Sequence, residues 1–301
     1  MANLILLGFC FFMGMTLRRI GRFPESTATV LNAFIINISL PALTLYHIHN
    51  ITIDRELLMP MSMPWVIFLV GIPFFLLLGK LLKLKRETIG CLILVGGLGN
   101  TSFVGLPMIE TFYGSEFVGI GIVADQAGSF IVLSTLGIVV ASIFAATEPN
   151  IRFIAKKIAL FPPTQALVLA LLLRSWEYPV WLSAILMRLG DTLTPIALVS
   201  IGFLFHIQSV RQHARALVLG LSYKLLLAPA LILMTFMSLW GASGSVFQVT
   251  VFEAAMPPMI SAGIIAMEHR LDVSLVSTIL GVGLLISFLT LAGWWYILLP
   301  L

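Results

Sequence analysis

The strongest constraint on this chain is a succession of apolar runs, each long enough to cross a bilayer as a helix. A spanning helix needs about 20 mostly apolar residues. Ten such spans are predicted, at residues 2–18, 27–46, 62–82, 88–113, 117–146, 162–177, 190–207, 214–240, 245–267 and 272–297. The sixth is short, and residues 180–190 after it can also be read as an interfacial helix. Only 10% of the residues are charged, against about 25% in soluble domains, so the chain is predicted to be an integral membrane protein.

Lysine and arginine predict how these spans are oriented, because cytoplasmic loops carry an excess of basic residues. Thirteen of the 17 basic residues follow spans 1, 3, 5, 7 and 9. They are Arg18, Arg19, Arg22, Lys80, Lys83, Lys85, Arg86, Arg152, Lys156, Lys157, Arg211, Arg215 and Arg270. Both termini are therefore predicted to face outward from a cell (inner) membrane. The first run lacks the basic start and the cleavage site of a secretory signal, so it is predicted to remain as a span.

Ten spans with both termini outside divide into two halves of five. Because each half has an odd number of spans, the second half enters the membrane with the opposite orientation. The predicted organisation is a first repeat at 1–147, a cytoplasmic linker at 148–161 and an inverted second repeat at 162–301. Weak internal similarity supports this division, because ISLPALTL in span 2 resembles LTPIALVS in span 7, with Pro41 opposite Pro195.

Two helix interruptions are predicted in matching positions of the two halves. GNTSFVGLP (99–107) lies in span 4 and FEAAMPPMISAG (252–263) lies in span 9. Proline lacks an amide hydrogen and clashes with the preceding turn, so Pro107 and the pair Pro257 and Pro258 are expected to break their helices. Inverted repeats with interrupted helices in corresponding positions are typical of secondary transporters, whose substrate site lies near the membrane midplane.

The polar residues at the first break are predicted to bind a small carboxylate. A helix start exposes free amides, which favour an anion. Asn100, Thr101 and Ser102 add neutral donors and acceptors. The structural alternative is a proline kink that neighbouring small residues close by packing.

Three further polar residues inside the membrane are candidates for handling a sodium ion or a proton. Asp125 and Gln126 lie within span 5, and Glu253 lies four residues before Pro257. A carboxylate at that depth is costly and marks a functional site by default. Hydration near a span end, or a hydrogen bond to broken backbone, is the alternative. Lys224 in span 8 is expected to neutralise a buried acid, and snorkelling outward is the alternative. No other cofactor or metal is predicted.

The pairing of GNTSFVGLP with AAMPP, together with the ending EHRLDVSLVSTILGVGLLISFLTL, resembles the auxin efflux carrier family. That family includes plant PIN-FORMED carriers and bacterial malate-permease-like proteins, and the resemblance covers essentially the whole chain. It implies an all-α, ten-helix membrane fold in which broken helices 4 and 9 cross, as in bile-acid/sodium symporters. It also implies transport of small organic anions at the crossing, by Asn100, Pro107, Pro257 and Pro258. Many relatives carry asparagine shortly after the second proline pair, where this chain has Ser261.

Other classes of function fit the sequence less well. The stretch GASG (241–244) matches a nucleophile pattern of rhomboid-like proteases, but Ser243 falls in a predicted outer loop and the later histidine, His269, falls at a predicted cytoplasmic end, on the opposite side of the membrane. A receptor that retains a transporter fold is a second alternative. A nucleic-acid partner is not expected, because no basic patch interleaved with aromatic residues occurs. The expected partners are a small carboxylate and membrane lipids, and a homodimer is compatible with the sequence.

Overall fold

The computed structural model describes residues 2–49, 57–145, 156, 159–160, 162–173, 176–205 and 207–301, and within them the chain is helical, without strands. Arg55, Arg152, Lys157 and Arg174 lie outside the described residues, as does most of the predicted linker at 148–161.

Besides a 3-10 turn at Ser115–Phe117, the described part of the chain contains fourteen main helices once directly adjoining α- and π-helical turns are joined. They occupy Ala2–Ile20 (α1), residues 27–49 (α2), Leu58–Leu81 (α3), residues 86–96 (α4), residues 101–112 (α5), Val118–Ala145 (α6), Pro162–Leu172 (α7), Val180–Asp191 (α8), Leu193–Leu204 (α9), Ile207–Gln212 (α10), residues 214–240 (α11), Ser245–Ala254 (α12), Ile260–Glu268 (α13) and Val273–Leu298 (α14).

Six helical segments in the described residues are long and apolar enough to cross a membrane. They are Thr27–Tyr46, Leu58–Leu81, Val118–Ala145, Val180–Leu204, Ala214–Leu239 and Val273–Leu298. Each coincides with a predicted span, although the seventh span begins at Val180 rather than at residue 190. By length and composition, α8 (residues 180–191) and α9 together form this candidate segment, and the interfacial reading of residues 180–190 stays an alternative.

The other four predicted spans, the first, fourth, sixth and ninth, are not among these six segments. The helix α1 has 19 residues and α7 has 11. The fourth and ninth spans are each divided into two short helices, α4 and α5 in one case and α12 and α13 in the other. Length and composition alone therefore identify six membrane-crossing helices, and the ten-span count stays a prediction.

The helices α1 and α9 pack closely against each other. Gly14 of α1 lies directly against the backbone of Val199 and Phe203, and a Cβ atom at Gly14 would overlap the Val199 carbonyl oxygen. Reciprocally, a Cβ atom at Gly202 of α9 would overlap the carbonyl oxygen of Phe11. Small residues at such contacts let two helix backbones approach closely.

Candidate functional site

The two interruptions meet each other. Residues 97–100 join α4 to α5, residues 255–259 join α12 to α13, and the two connections run antiparallel with a bridge between Gly99 and Pro258. The Asn100 amide donates to the Pro257 carbonyl oxygen at 2.7 Å, and the Met259 amide donates to the Leu98 carbonyl oxygen at 3.0 Å. Irregular backbone at membrane depth needs such internal partners. Each connection thus supplies hydrogen bonds that the other requires.

The prolines of the two motifs play different roles. Pro257 and Pro258 lie within the second connection, as predicted, but the expectation that Pro107 breaks its helix is wrong. The first break precedes residue 101, and Pro107 lies inside α5. The wide π-helical turn Thr101–Gly105 comes just before it. Such a turn displaces the hydrogen-bond ladder, so a residue without an amide hydrogen is accommodated without ending the helix.

Asn100 caps α5 and reaches a small cavity. Its Oδ1 accepts a hydrogen bond from the Phe103 amide at 3.2 Å, and the residue is 2% exposed. The cavity volume is about 10 Å³, close to the minimum that holds one water molecule. Besides Asn100, Pro257 and Pro258, its lining is mostly apolar and comes from α1, α9, α13 and α14: Phe11, Leu198, Ile201, Ile260, Leu280, Gly281 and Leu284.

Thr101 belongs to a different polar cluster. Its hydroxyl donates to Asp125 Oδ1 at 2.7 Å and lies 3.1 Å from Ser129 Oγ. Gln126 Nε2 donates to the other carboxylate oxygen of Asp125, and half-buried Ser102 lies close to the same carboxylate. The residues predicted to form one carboxylate-binding set are therefore divided between two locations, with Asn100 at one and Thr101 at the other.

Glu253 sits at the end of α12 with its carboxylate in a confined space. The residue is fully buried, and neither carboxylate oxygen has a hydrogen-bond partner among the described residues. The carboxylate lies against two glycines, because a Cβ atom would come within 2.5 Å of Oε1 at Gly105 and within 3.0 Å at Gly121. Thr101, whose hydroxyl donates to Asp125, lines the same cavity as Glu253. The two acids of opposite predicted repeats therefore belong to one buried polar region.

Lys224 enters the same region from α11. It is 1% exposed, and its Nζ donates to the Ala254 carbonyl oxygen at 2.6 Å. Together with Glu253, Thr101 and Ser129 it lines a cavity that leaves no room for a water molecule. The described residues contain no direct ion pair between this lysine and an acid, so the observed buried partner of Lys224 is a backbone carbonyl and not the expected acid.

Ser261 stands apart from these contacts. It is buried in the first turn of α13 and is absent from the described lining of the cavity at Asn100. Sequence reasoning also missed the apolar cavity wall, including Phe11 and Leu284. These side chains carry no signal of their own, since they are the residue types that fill any helical core.

Comparison with known proteins places the chain in a family. The sequence profile described as membrane transport protein, which represents the auxin efflux carriers, matches residues 1–295. The chain belongs to this family. An uncharacterized transporter of Methanocaldococcus jannaschii is 27% identical over 295 residues, covering 93% of this chain and 92% of the relative. An uncharacterized transporter of Methanothermobacter thermautotrophicus is 27% identical over 286 residues, covering 94% and 93%.

These findings confirm the family resemblance and support a membrane transporter rather than an enzyme. Ser243 of the protease-like motif is exposed between α11 and α12.

Proposed function

We propose that this transporter carries small organic anions with a carboxylate group, by alternating access at the paired connections. The observation that carries the proposal is the hydrogen-bonded pairing of two helix breaks beside a cavity lined by Asn100, Pro257 and Pro258. A transporter needs a site that can be reached from either side in turn, and breaks of this kind near the midplane supply one.

The electrostatics at the cavity favour an anion. Two helices begin at the connections, α5 after its cap Asn100 and α13 with Ile260, which lines the cavity. Helix starts carry partial positive charge and free amides. Because the described lining contains no basic side chain, recognition relies on these amides and on the Asn100 carboxamide. Such neutral donors bind a carboxylate without a permanent charge on the protein.

Contacts between the halves support the inverted repeat. The helix α1 packs on α9, and α7 packs on α2. The helices α1 and α7 are the first spans of the two predicted repeats, and α2 and α9 lie in their second spans. In each contact, the first span of one repeat therefore packs on the second span of the other repeat. Ser39, two residues before Pro41, and Thr192, three residues before Pro195, also share a hydrogen bond of 2.7 Å. We therefore propose ten spans, with the fourth and ninth broken and crossing at the connections.

The cavity at Asn100 holds no more than about one water molecule in this conformation. A carboxylate can enter only when the wall formed by α1, α9 and α14 separates from the connections. In the proposed cycle the wall and the paired connections move relative to each other, so that the cavity opens to one side of the membrane at a time.

Export of an anion is the favoured direction. Moving a negative charge out of a cell with a negative interior releases about 2.3 kcal/mol per 100 mV, so no coupling ion is required. Sodium- or proton-coupled uptake is the second candidate. It is favoured by the buried carboxylate of Glu253, which lacks a hydrogen-bond partner among the described residues.

The first test replaces Asn100 by alanine. Losing one hydrogen bond to a charged group costs about 1.5–3 kcal/mol, so affinity should fall roughly 10- to 150-fold. The measurement is counterflow of labelled malate and labelled indole-3-acetate in proteoliposomes, repeated with imposed sodium and pH gradients. A wild type that exchanges neither probe, or a variant that exchanges them like the wild type, contradicts the proposed site.

Two controls separate binding from folding. Asn100→Asp keeps an oxygen for the cap on α5 but adds a negative charge, so it should lose carboxylate exchange through charge repulsion. Asn37→Ala removes an exposed asparagine of α2 and should leave exchange unchanged.

A further inference from the structure

The end of α12 gathers oxygen atoms in a pattern that suits a cation. The Ala254 carbonyl oxygen lies at the C-terminal end of this helix, where the dipole is negative. Glu253, Thr101 and Ser129 line the cavity that Lys224, the donor to this carbonyl, also lines. Carboxylate, carbonyl and hydroxyl oxygens are the ligands that hard cations such as sodium take.

The amino group of Lys224 already fills this position. Its Nζ donates to the Ala254 carbonyl oxygen at 2.6 Å, and a Cβ atom at Gly99 would come within 2.9 Å of it. No volume for water remains beside it. The preceding residue anchors the helix, because the Tyr223 hydroxyl donates to the Ile67 carbonyl oxygen of α3 at 2.6 Å. Hydrogen bonds thus fix both the neighbouring residue on the helix and the Lys224 ammonium itself.

We propose that the Lys224 ammonium is a tethered substitute for a coupling sodium ion at the end of α12. It places a positive charge at the helix end, in the cavity that Glu253 also lines, as a bound cation would, but it cannot leave with the substrate. The consequence for transport rests on the proposed function: anion movement is sodium-independent and carries the net charge of the anion. The cation site itself can be tested without any substrate.

The test is sodium binding to the purified full-length chain, followed by thermal unfolding in sodium chloride and in choline chloride at equal ionic strength. The wild type should show no saturable sodium effect. Lys224→Ala opens space beside the Ala254 carbonyl and the Glu253 carboxylate, so sodium should stabilise it saturably. The expected rise is about 3–5 °C when sodium exceeds its Kd tenfold. Labelled sodium should bind this variant and not the wild type.

Matched variants separate the tethered-cation role from a merely structural one. Lys224→Met removes the charge but keeps the volume filled, so it should not bind sodium. Lys224→Ala combined with Glu253→Gln should lose the sodium effect, and Lys80→Met on the exposed end of α3 should behave as wild type.

Saturable sodium binding to the wild type overturns the proposal, and that measurement stands even if the lysine variants do not fold. A folded Lys224→Ala without any sodium effect overturns it as well. If carboxylate exchange fails while these sodium results hold, the proposed substrate is wrong and the cation site stands.

Discussion

At Gly105 the buried polar region depends on the absence of a side chain. The carboxylate of Glu253 occupies the space that a methyl group at this position would take, and Gly121 of α6 contributes in the same way. An unpartnered carboxylate in so confined a space tolerates little displacement, because inserting one carbon atom into a packed interior forces neighbours off their preferred rotamers.

Gly105→Ala should therefore displace the Glu253 carboxylate. We expect a stability loss of about 1–3 kcal/mol, partly offset by the better helix propensity of alanine, and slower counterflow. Thermal unfolding and exchange of labelled malate measure both effects. Gly119→Ala on α6 is the matched control, because no atom lies within 4 Å of the added carbon. Equal behaviour of the two variants would show that the carboxylate position does not matter.

Among the elements, wide π-helical turns recur where polar residues enter the membrane interior. Thr101, Asp125 and Lys224 each lie in such a turn, at Thr101–Gly105, Ala124–Ser129 and Tyr223–Leu227. A π-helical turn adds a residue to the helix, changes the direction of the side chains that follow and is frequent at functional sites. Polar groups from three separate helices thereby come together in one region.

The pair α1 and α9 gives a prediction about helix packing. Gly14→Ala places a carbon atom on the backbone of α9, so α1 must move away. We expect a loss of about 1–3 kcal/mol in unfolding free energy, measured by thermal unfolding in detergent. Gly8→Ala in the same helix meets no atom within 4 Å and should be neutral or stabilising by up to about 1 kcal/mol. If Gly14→Ala is as stable as Gly8→Ala, the two helices do not pack this closely in the membrane.

For the whole molecule, the proposed topology places Lys85 in the cytoplasm and Ser245 outside. Both residues are exposed, and the native Cys10 and Cys91 are buried, so single introduced cysteines can be labelled over a low background. An impermeant maleimide should label Ser245→Cys in intact cells and Lys85→Cys only after the membrane is opened. Labelling of both positions from the same side would refute the five-plus-five arrangement.

The sequence by itself determined the membrane character, the two interrupted regions and the buried acids Asp125 and Glu253. These features follow from local free energies: the transfer of apolar side chains into lipid, the cost of charge at depth and the backbone restrictions of proline and glycine. Each can be judged from a window of about twenty residues, because the bilayer acts on every segment in the same way.

Only the tertiary structure decided which groups meet. Asn100 is hydrogen-bonded to Pro257, and Met259 is hydrogen-bonded to Leu98. Thr101 lies in a different cluster from Asn100, and Lys224 donates to the Ala254 carbonyl oxygen. Pro107 was also beyond prediction from the sequence. It was expected to end the helix, but the π-helical turn before it allows the helix to continue. A side chain's direction and partners depend on atoms brought from distant parts of the chain, and neither composition nor periodicity records them.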